Sequence, residues 1–189
     1  MSCRVQAATI RAREAFVRHR FGGEGLRRYR DAASPELIRL FAGEPANRRG
    51  GWADFALFVE ALTLLERTFD DRRGDLIFES GRFTASYEVG PWRQIIMRRL
   101  RPATLLSLAS SLWSHHYDRG RLVSRPAGSS GLRVAIVDFP MPRREHCATI
   151  AGWMQGSLEL VPRREVRVTE LACRAKGGPA CEFELAWKD

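Results

Sequence analysis

The sequence predicts an α+β fold in the broad α/β class: helices packed on a mixed, mostly antiparallel sheet of about four to five strands. Three observations predict it. Residues 52–69 and 143–160 repeat apolar side chains at helical spacing. Two pairs of short β-type runs are each joined by a segment rich in Gly, Ser or Pro. In the last run Cys181, Phe183, Leu185 and Trp187 alternate with Glu182 and Glu184, the pattern of a strand with one covered face.

Taken in order, residues 6–20 mix two periodicities and read as a strand leading into a helix. Ser34-Pro35-Glu36 is a cap followed by proline in the first turn, opening a short helix through Phe41 that ends at Gly43. Phe55, Val59, Leu62, Leu65 and Phe69 form the apolar stripe of the helix over 52–69. Residues 75–81 are flanked by turn formers and too short to assign. Pro102 opens a helix reaching about Tyr117, with Leu105, Leu108, Ala109, Leu112 and Trp113 on its stripe. Residues 121–125 and 132–139 are strands around the turn-rich 126–131. On the helix over 143–160, Cys147, Ile150, Ala151, Met154 and Leu158 share a face, and Gly152 and Gly156, four apart, admit a close backbone neighbour. Residues 165–173 and 181–187 form a terminal hairpin around Lys176-Gly177-Gly178-Pro179. The chain divides into residues 1–100, a helical elaboration, and 102–187, the core of the same domain; no internal repeat is visible.

Composition narrows the function classes. The 189 residues are 44% hydrophobic and 28% charged, outside the range of a disordered tail. No apolar run reaches the ~20 residues of a membrane span. The N-terminal segment lacks the apolar stretch and cleavage site of a secretory signal, so the expected compartment is the cytoplasm. The net charge is +9, carried almost wholly by arginine, since Lys176 and Lys188 are the only lysines. Residues 1–50 hold 11 basic against 5 acidic groups, but the arginines are interleaved with Glu14, Glu24, Asp31 and Glu36, as on a solvated face. No nucleic-acid motif accompanies the charge, so nucleic-acid binding is the least favoured reading.

The cysteines carry the chemistry. Of four, Cys147, Cys173 and Cys181 fall in the last 43 residues. Clustered cysteines in a cytosolic chain favour a metal over a disulfide. Cys173 and Cys181 flank the hairpin turn, and Cys147 lies near the start of the preceding helix. A tetrahedral zinc needs a fourth donor, for which Glu170 and His146 are the nearby candidates. The competing reading is three small core residues. Strand alternation puts Glu170 and Cys173 on opposite faces, an objection that a bulge or strand end after Leu171 removes.

The spacing Cys147, Glu170, Cys173 and Cys181 resembles the zinc site of the 4-vinyl reductase-type domain that ends the sensory region of phenol-responsive transcriptional activators. Gly152 and Gly156, Leu158-Glu159, Glu170-Leu171-Ala172-Cys173 and Cys181-Glu182-Phe183 carry the resemblance, over about residues 102–187. Upstream, Gly22-Gly23 with Leu26, Trp52 and Gly81-Arg82 are similar to a group of uncharacterised myxobacterial proteins. Both resemblances imply the fold of the Golgi-transport TRAPP subunits and the haem-based nitric oxide sensors, often dimeric and often holding an apolar cavity. They imply a structural zinc on Cys147, Glu170, Cys173 and Cys181. They also imply a ligand between sheet and helices, where Trp113, His116, Tyr117 and Trp153 lie, with Leu112 and Phe139 nearby. The histidine and tryptophan that hold phenol in the activators have no counterpart at the equivalent spacing before Cys147, so phenol itself is not implied.

No catalytic constellation emerges. His115-His116 near a helix C-terminus read as cations answering the helix dipole. Gly22-Gly23-Glu24-Gly25 lacks the Lys-Ser/Thr of a phosphate loop. Ser129-Ser130 has no His/Asp partner pattern. The Tyr-x-Ser-x-Arg motif of the haem sensors is absent, which sets haem aside. The sequence thus points to a zinc-stabilised, non-catalytic sensory or ligand-binding module, taking a small hydrophobic or aromatic molecule, homodimeric and signalling through a protein partner. The alternative is an enzyme or accessory acting on a vinyl or tetrapyrrole substrate. It lacks any nucleotide- or flavin-binding motif and needs an external electron source.

Overall fold

Short polar caps and apolar stripes resolve into six helices and six strands among the described residues, 2–43, 51–71, 75–97, 109–161 and 164–188 of a computed structural model. Strand β1 (Arg4–Gln6) runs into helix α1 (Ala7–Asp31), which kinks at Gly22 where φ is +68°. Ser34 caps α2 (Pro35–Phe41), its Oγ accepting from the Leu37 N–H at 3.2 Å. Strand β2 (Trp52–Asp54) pairs antiparallel with β1, and Asp54 caps α3 (Phe55–Phe69) by accepting from the Ala56 N–H at 2.8 Å. That cap is why the helix read over 52–69 starts three residues later. The remaining elements are α4 (Asp75–Met97), α5 (Ala109–His116), β3 (Arg121–Pro126), β4 (Gly131–Val137), α6 (Arg144–Glu159), β5 (Arg164–Ala172), a 3₁₀ turn (Arg174–Lys176) and β6 (Cys181–Lys188). The expected helix start at Pro102 lies outside the described residues.

Strands β3 to β6 form one antiparallel sheet in the order β3-β4-β6-β5. With β1–β2 as a separate ribbon, every strand pairing is antiparallel, and the α+β architecture is as the sequence predicts. Helix α6 covers one face of the sheet and α4 packs on α6. Val134, Ile136, Phe183 and Leu185 are buried beneath α6, while Arg133, Glu182 and Glu184 face outward. One hydrophobic cluster runs from Cys3 to Leu185 and so spans both halves of the chain. Among the described residues no helix is long and apolar enough to cross a membrane.

Helix α4 is the largest departure from the sequence reading. Residues 75–81 belong to a helix of 23 residues that Gly81, Gly90 and Pro91 disguise in sequence. The cause of Gly81 is tertiary. A Cβ there meets the Thr149 carbonyl oxygen at 2.0 Å, and one on Gly152 meets the Phe78 carbonyl oxygen at 1.9 Å. A Cβ on Gly156 meets the Arg82 oxygen at 2.5 Å. The two helices therefore cross with their backbones in contact, which only glycine permits.

Candidate functional site

The terminal hairpin assembles the thiols. After β5 the chain turns through Arg174–Lys176 and Gly177, whose φ of +83° lies in the left-handed region. The Lys176 and Gly178 N–H groups close the turn on the Cys173 carbonyl at 3.0 and 2.9 Å. Gly178 is pressed against the Cys173 backbone, where a Cβ falls 2.9–3.2 Å from three atoms. This turn sets Cys173 beside Cys181, the first residue of β6, and the first turn of α6 lowers Cys147 onto both. The three sulfurs lie within 4.8 Å of one another, with Cys147 and Cys173 3.6 Å apart. All three residues are buried.

Tetrahedral zinc with Zn–S bonds of about 2.3 Å requires sulfurs about 3.8 Å apart, close to this spacing. Burial, reinforced by the neighbouring Cys181 and Cys173, pushes the Cys147 thiol well above its ordinary range. Burial also raises Cys173, against the lowering effect of its bond with Cys147. Three buried thiols do not ionise together without a cation, and a bound divalent metal reverses that balance. The Arg174 N–H points at Cys181 Sγ from 3.5 Å, a donor suited to a thiolate.

Glu170 and His146 are separated by the fold. The register of β5 against β6 shifts between Glu170 and Ala172, so Glu170 faces Phe183 on the covered side and Cys173 follows on that same side. The bulge that the alternation argument needed is present. Glu170 Oε2 takes a 2.5 Å bond from Lys176 Nζ, whereas the buried Oε1 has no partner. Glu170 is not in the tight sulfur group. His146 turns into a cage of Phe55, Phe58, Trp113, Tyr117 and Phe139, with ring centroids 4.7–6.3 Å away. Burial holds it neutral, at about 3.

A second feature shares α6. A cavity of about 30 Å³ opens where α1, α3, α4, α5 and α6 converge at β3. Leu112, Trp113, His116, Tyr117, Ile150 and Trp153 form its largely apolar wall. The structure thus brings Trp113, His116, Tyr117 and Trp153 to one place; Phe139 stands one layer away, against His146. Trp113 stacks on Tyr117 at 4.3 Å. Thr9, Arg13, Thr84 and Thr149 make the polar side.

Arg13 and the threonines escaped the sequence reading. The Arg13 guanidinium is buried, donates to Ser80 Oγ at 3.1 Å, to Thr149 Oγ1 at 2.6 Å and to Thr84 Oγ1, and lies over the Phe58 ring at 5.6 Å. The available signal was an arginine on the apolar stripe of α1, three residues after Ile10 and three before Phe16. His116 Nδ1 bonds Thr9 Oγ1 at 3.0 Å. Burial first, then the charges of His115 and Arg13, lowers His116 to about 4. It is therefore neutral near pH 7, which corrects its sequence reading as a cation answering the helix dipole.

No family model matches the chain, and no curated protein matches it. Solved structures do share its fold, and they are H-NOX domains. An Fe(II) unliganded H-NOX protein from K. algicida superposes with a TM-score of 0.67 at 14% identity, covering 97% of each chain. A mutant H-NOX protein from S. oneidensis in the Fe(II) ligation state gives 0.65 at 12%, over 97% of this chain and 96% of that one. An oxygen-binding H-NOX domain related to soluble guanylate cyclases gives 0.64 at 14%, over 97% and 95%. The chain has the H-NOX fold. None of these comparisons supports the 4-vinyl reductase-type resemblance read from the sequence.

Haem does not fit the cavity. Pockets for ligands of even drug size enclose roughly 300–1,000 Å³, against about 30 Å³ here. The Trp113 and Trp153 indoles line the space and leave only that volume among the described residues.

Proposed function

We propose that the chain is a non-catalytic sensory module in which a structural zinc fixes the helix that forms one wall of a small-molecule cavity. The observation that carries this reading is that α6 contributes both Cys147 to the thiol cluster and Thr149, Ile150 and Trp153 to the cavity. Cys147, Cys173 and Cys181 would hold the metal, with the unpartnered Oε1 of Glu170 as fourth donor. Zinc supplies the charge that keeps the sulfurs as thiolates, and four protein donors leave no open position for water. The protein's part is to seal these donors from solvent and to tie the start of α6 to the terminal hairpin.

The ligand in this reading is small and mostly apolar, either compact or a single aromatic ring. The cavity holds one or two water-sized molecules as it stands, so a ring enters only when Trp153 or Leu112 swings aside. That rearrangement is the signal, read by a protein partner or a second copy of the chain. The H-NOX neighbours support a ligand-sensing role through fold alone. The test is metal content by elemental mass spectrometry on protein prepared without chelator or histidine tag, followed by a ligand screen read by Trp fluorescence. About one zinc per chain, with a ligand response lost in Trp153→Ala, supports the reading; metal-free protein of equal stability overturns it.

A further inference from the structure

We propose that a second site, sharing no residue with the thiol cluster or the aromatic cavity, binds an amphipathic monoanion: an apolar body with one carboxylate head. A groove of about 560 Å³ runs between the α1–α2 connection, the outer face of α3 and the segment leading into α6. Its volume lies within the roughly 300–1,000 Å³ typical of small-molecule pockets. Phe55 and Leu64 form its floor, and Val59 and Met141 form its half-buried walls. An adjoining depression of about 420 Å³ shares Ala32, Leu64 and Arg67 with it and extends the groove along α3 towards Arg28.

The charge of the rim decides the ligand class. Arg67 and Arg143 line the groove, are exposed, and enter no ion pair among the described residues. Their neighbours behave differently. Arg144, one residue on, is held by both oxygens of Glu66 at 2.9 and 2.6 Å. Arg28 donates to the Thr68 carbonyl and lies over Phe69. Two carboxylates lie along the groove and its extension: Glu60 is engaged at both oxygens by the Ser34 N–H and O–H, at 2.8 and 3.0 Å, and Asp31, in the adjoining depression, pairs with Arg27 at 3.5 Å. The groove thus offers two uncommitted guanidinium groups above an apolar floor. Guanidinium pairs with carboxylate through two parallel hydrogen bonds, and the floor shelters an alkyl or aryl body. A neutral apolar ligand leaves the arginines unused, and a cation is repelled.

The test is calorimetric titration of the full chain with laurate below its micelle concentration, beside dodecanol as the same body without the charge. The expected result is saturable binding of one laurate per chain, weakened about tenfold or more in Arg67→Gln/Arg143→Gln and by high salt. Dodecanol should bind the parent and that variant equally. Ala56→Trp, at the exposed rim, and Val59→Trp, in the wall, should each block both ligands. Trp153→Ala should leave laurate binding unchanged. Absent or unsaturable binding, or affinity indifferent to the arginines or to both tryptophan substitutions, overturns the proposal. So does laurate binding lost in Trp153→Ala, which assigns the ligand to the aromatic cavity. The zinc-and-cavity reading stands apart from these outcomes, because none of the groove residues belongs to it.

Discussion

The Sγ atoms of Cys147 and Cys173 lie 3.6 Å apart, although one begins a helix and the other ends a strand. Nothing local forces that meeting. Residues 148–172 leave along α6 and return along β5, so the sulfur contact closes a long antiparallel excursion at its base.

Removing one sulfur should therefore cost both metal and stability. Cys173→Ala is expected to lose the zinc, about one per chain in the parent, since metal binding by a site of this kind is folding free energy. A loss of about 3 kcal/mol lowers the Tm of a chain this long by roughly 6–12 °C. Elemental analysis and a thermal melt check it; an unchanged melt reduces the cysteines to core packing.

The two candidates for the fourth donor separate cleanly. Both candidates keep a buried atom without a partner, Oε1 of Glu170 and Nε2 of His146. Glu170→Gln should weaken zinc affinity by tenfold or more in a chelator competition, because Glu170 is the carboxylate on the hairpin strand that leads into Cys173. His146→Phe should keep the metal, its ring being enclosed by five aromatic neighbours. The reverse pattern would move the fourth ligand to His146.

Gly152→Ala is predicted to destabilise by about 3 kcal/mol or more, at the upper end of overpacking effects. The new methyl falls 1.9 Å from a backbone carbonyl, which no rotamer can relieve. Gly23→Ala, with open space around it, serves as the control. Urea denaturation of the two variants makes the comparison.

His116 links stability to pH. Its folded value of about 4 lies below its ordinary value of 6.5. The unfolded chain thus binds the extra proton in between, and stability is full above about 6.5 and falls as pH drops through 4. The slope is about 1.4 kcal/mol per pH unit for this one group. His116→Asn should remove one proton from the uptake on unfolding, measured as the change in slope between pH 4.5 and 6.

Haem titration should give no stoichiometric Soret band. A one-to-one complex whose spectrum changes in His116→Ala would reverse the conclusion drawn from the 30 Å³ cavity.

Much of the site was legible because its signals are local. The hairpin turn shows in Lys176-Gly177-Gly178, and the alternation from Cys181 to Trp187 sets the inward face of β6. Gly152 and Gly156 admitted a close backbone neighbour without saying which. That neighbour, α4, was missed because its glycines serve a tertiary contact while local propensity reads them as breaks. Arg13 was counted among surface charges because composition does not record that three hydroxyls from α4 and α6 surround its guanidinium. His146 was read with the metal because it neighbours Cys147, yet adjacent positions on a helix point about 100° apart.

The crossing of α4 and α6 has a mechanical consequence. Side chains at an ordinary helix interface absorb small displacements by changing rotamer, as a cushion takes up play. Carbonyl oxygens pressed towards Gly81, Gly152 and Gly156 have no such freedom. Any shift of α6 along this crossing therefore meets the α4 backbone directly, with no side chain between them to yield. The far side of α4 carries Tyr87, exposed and stacked on Phe83.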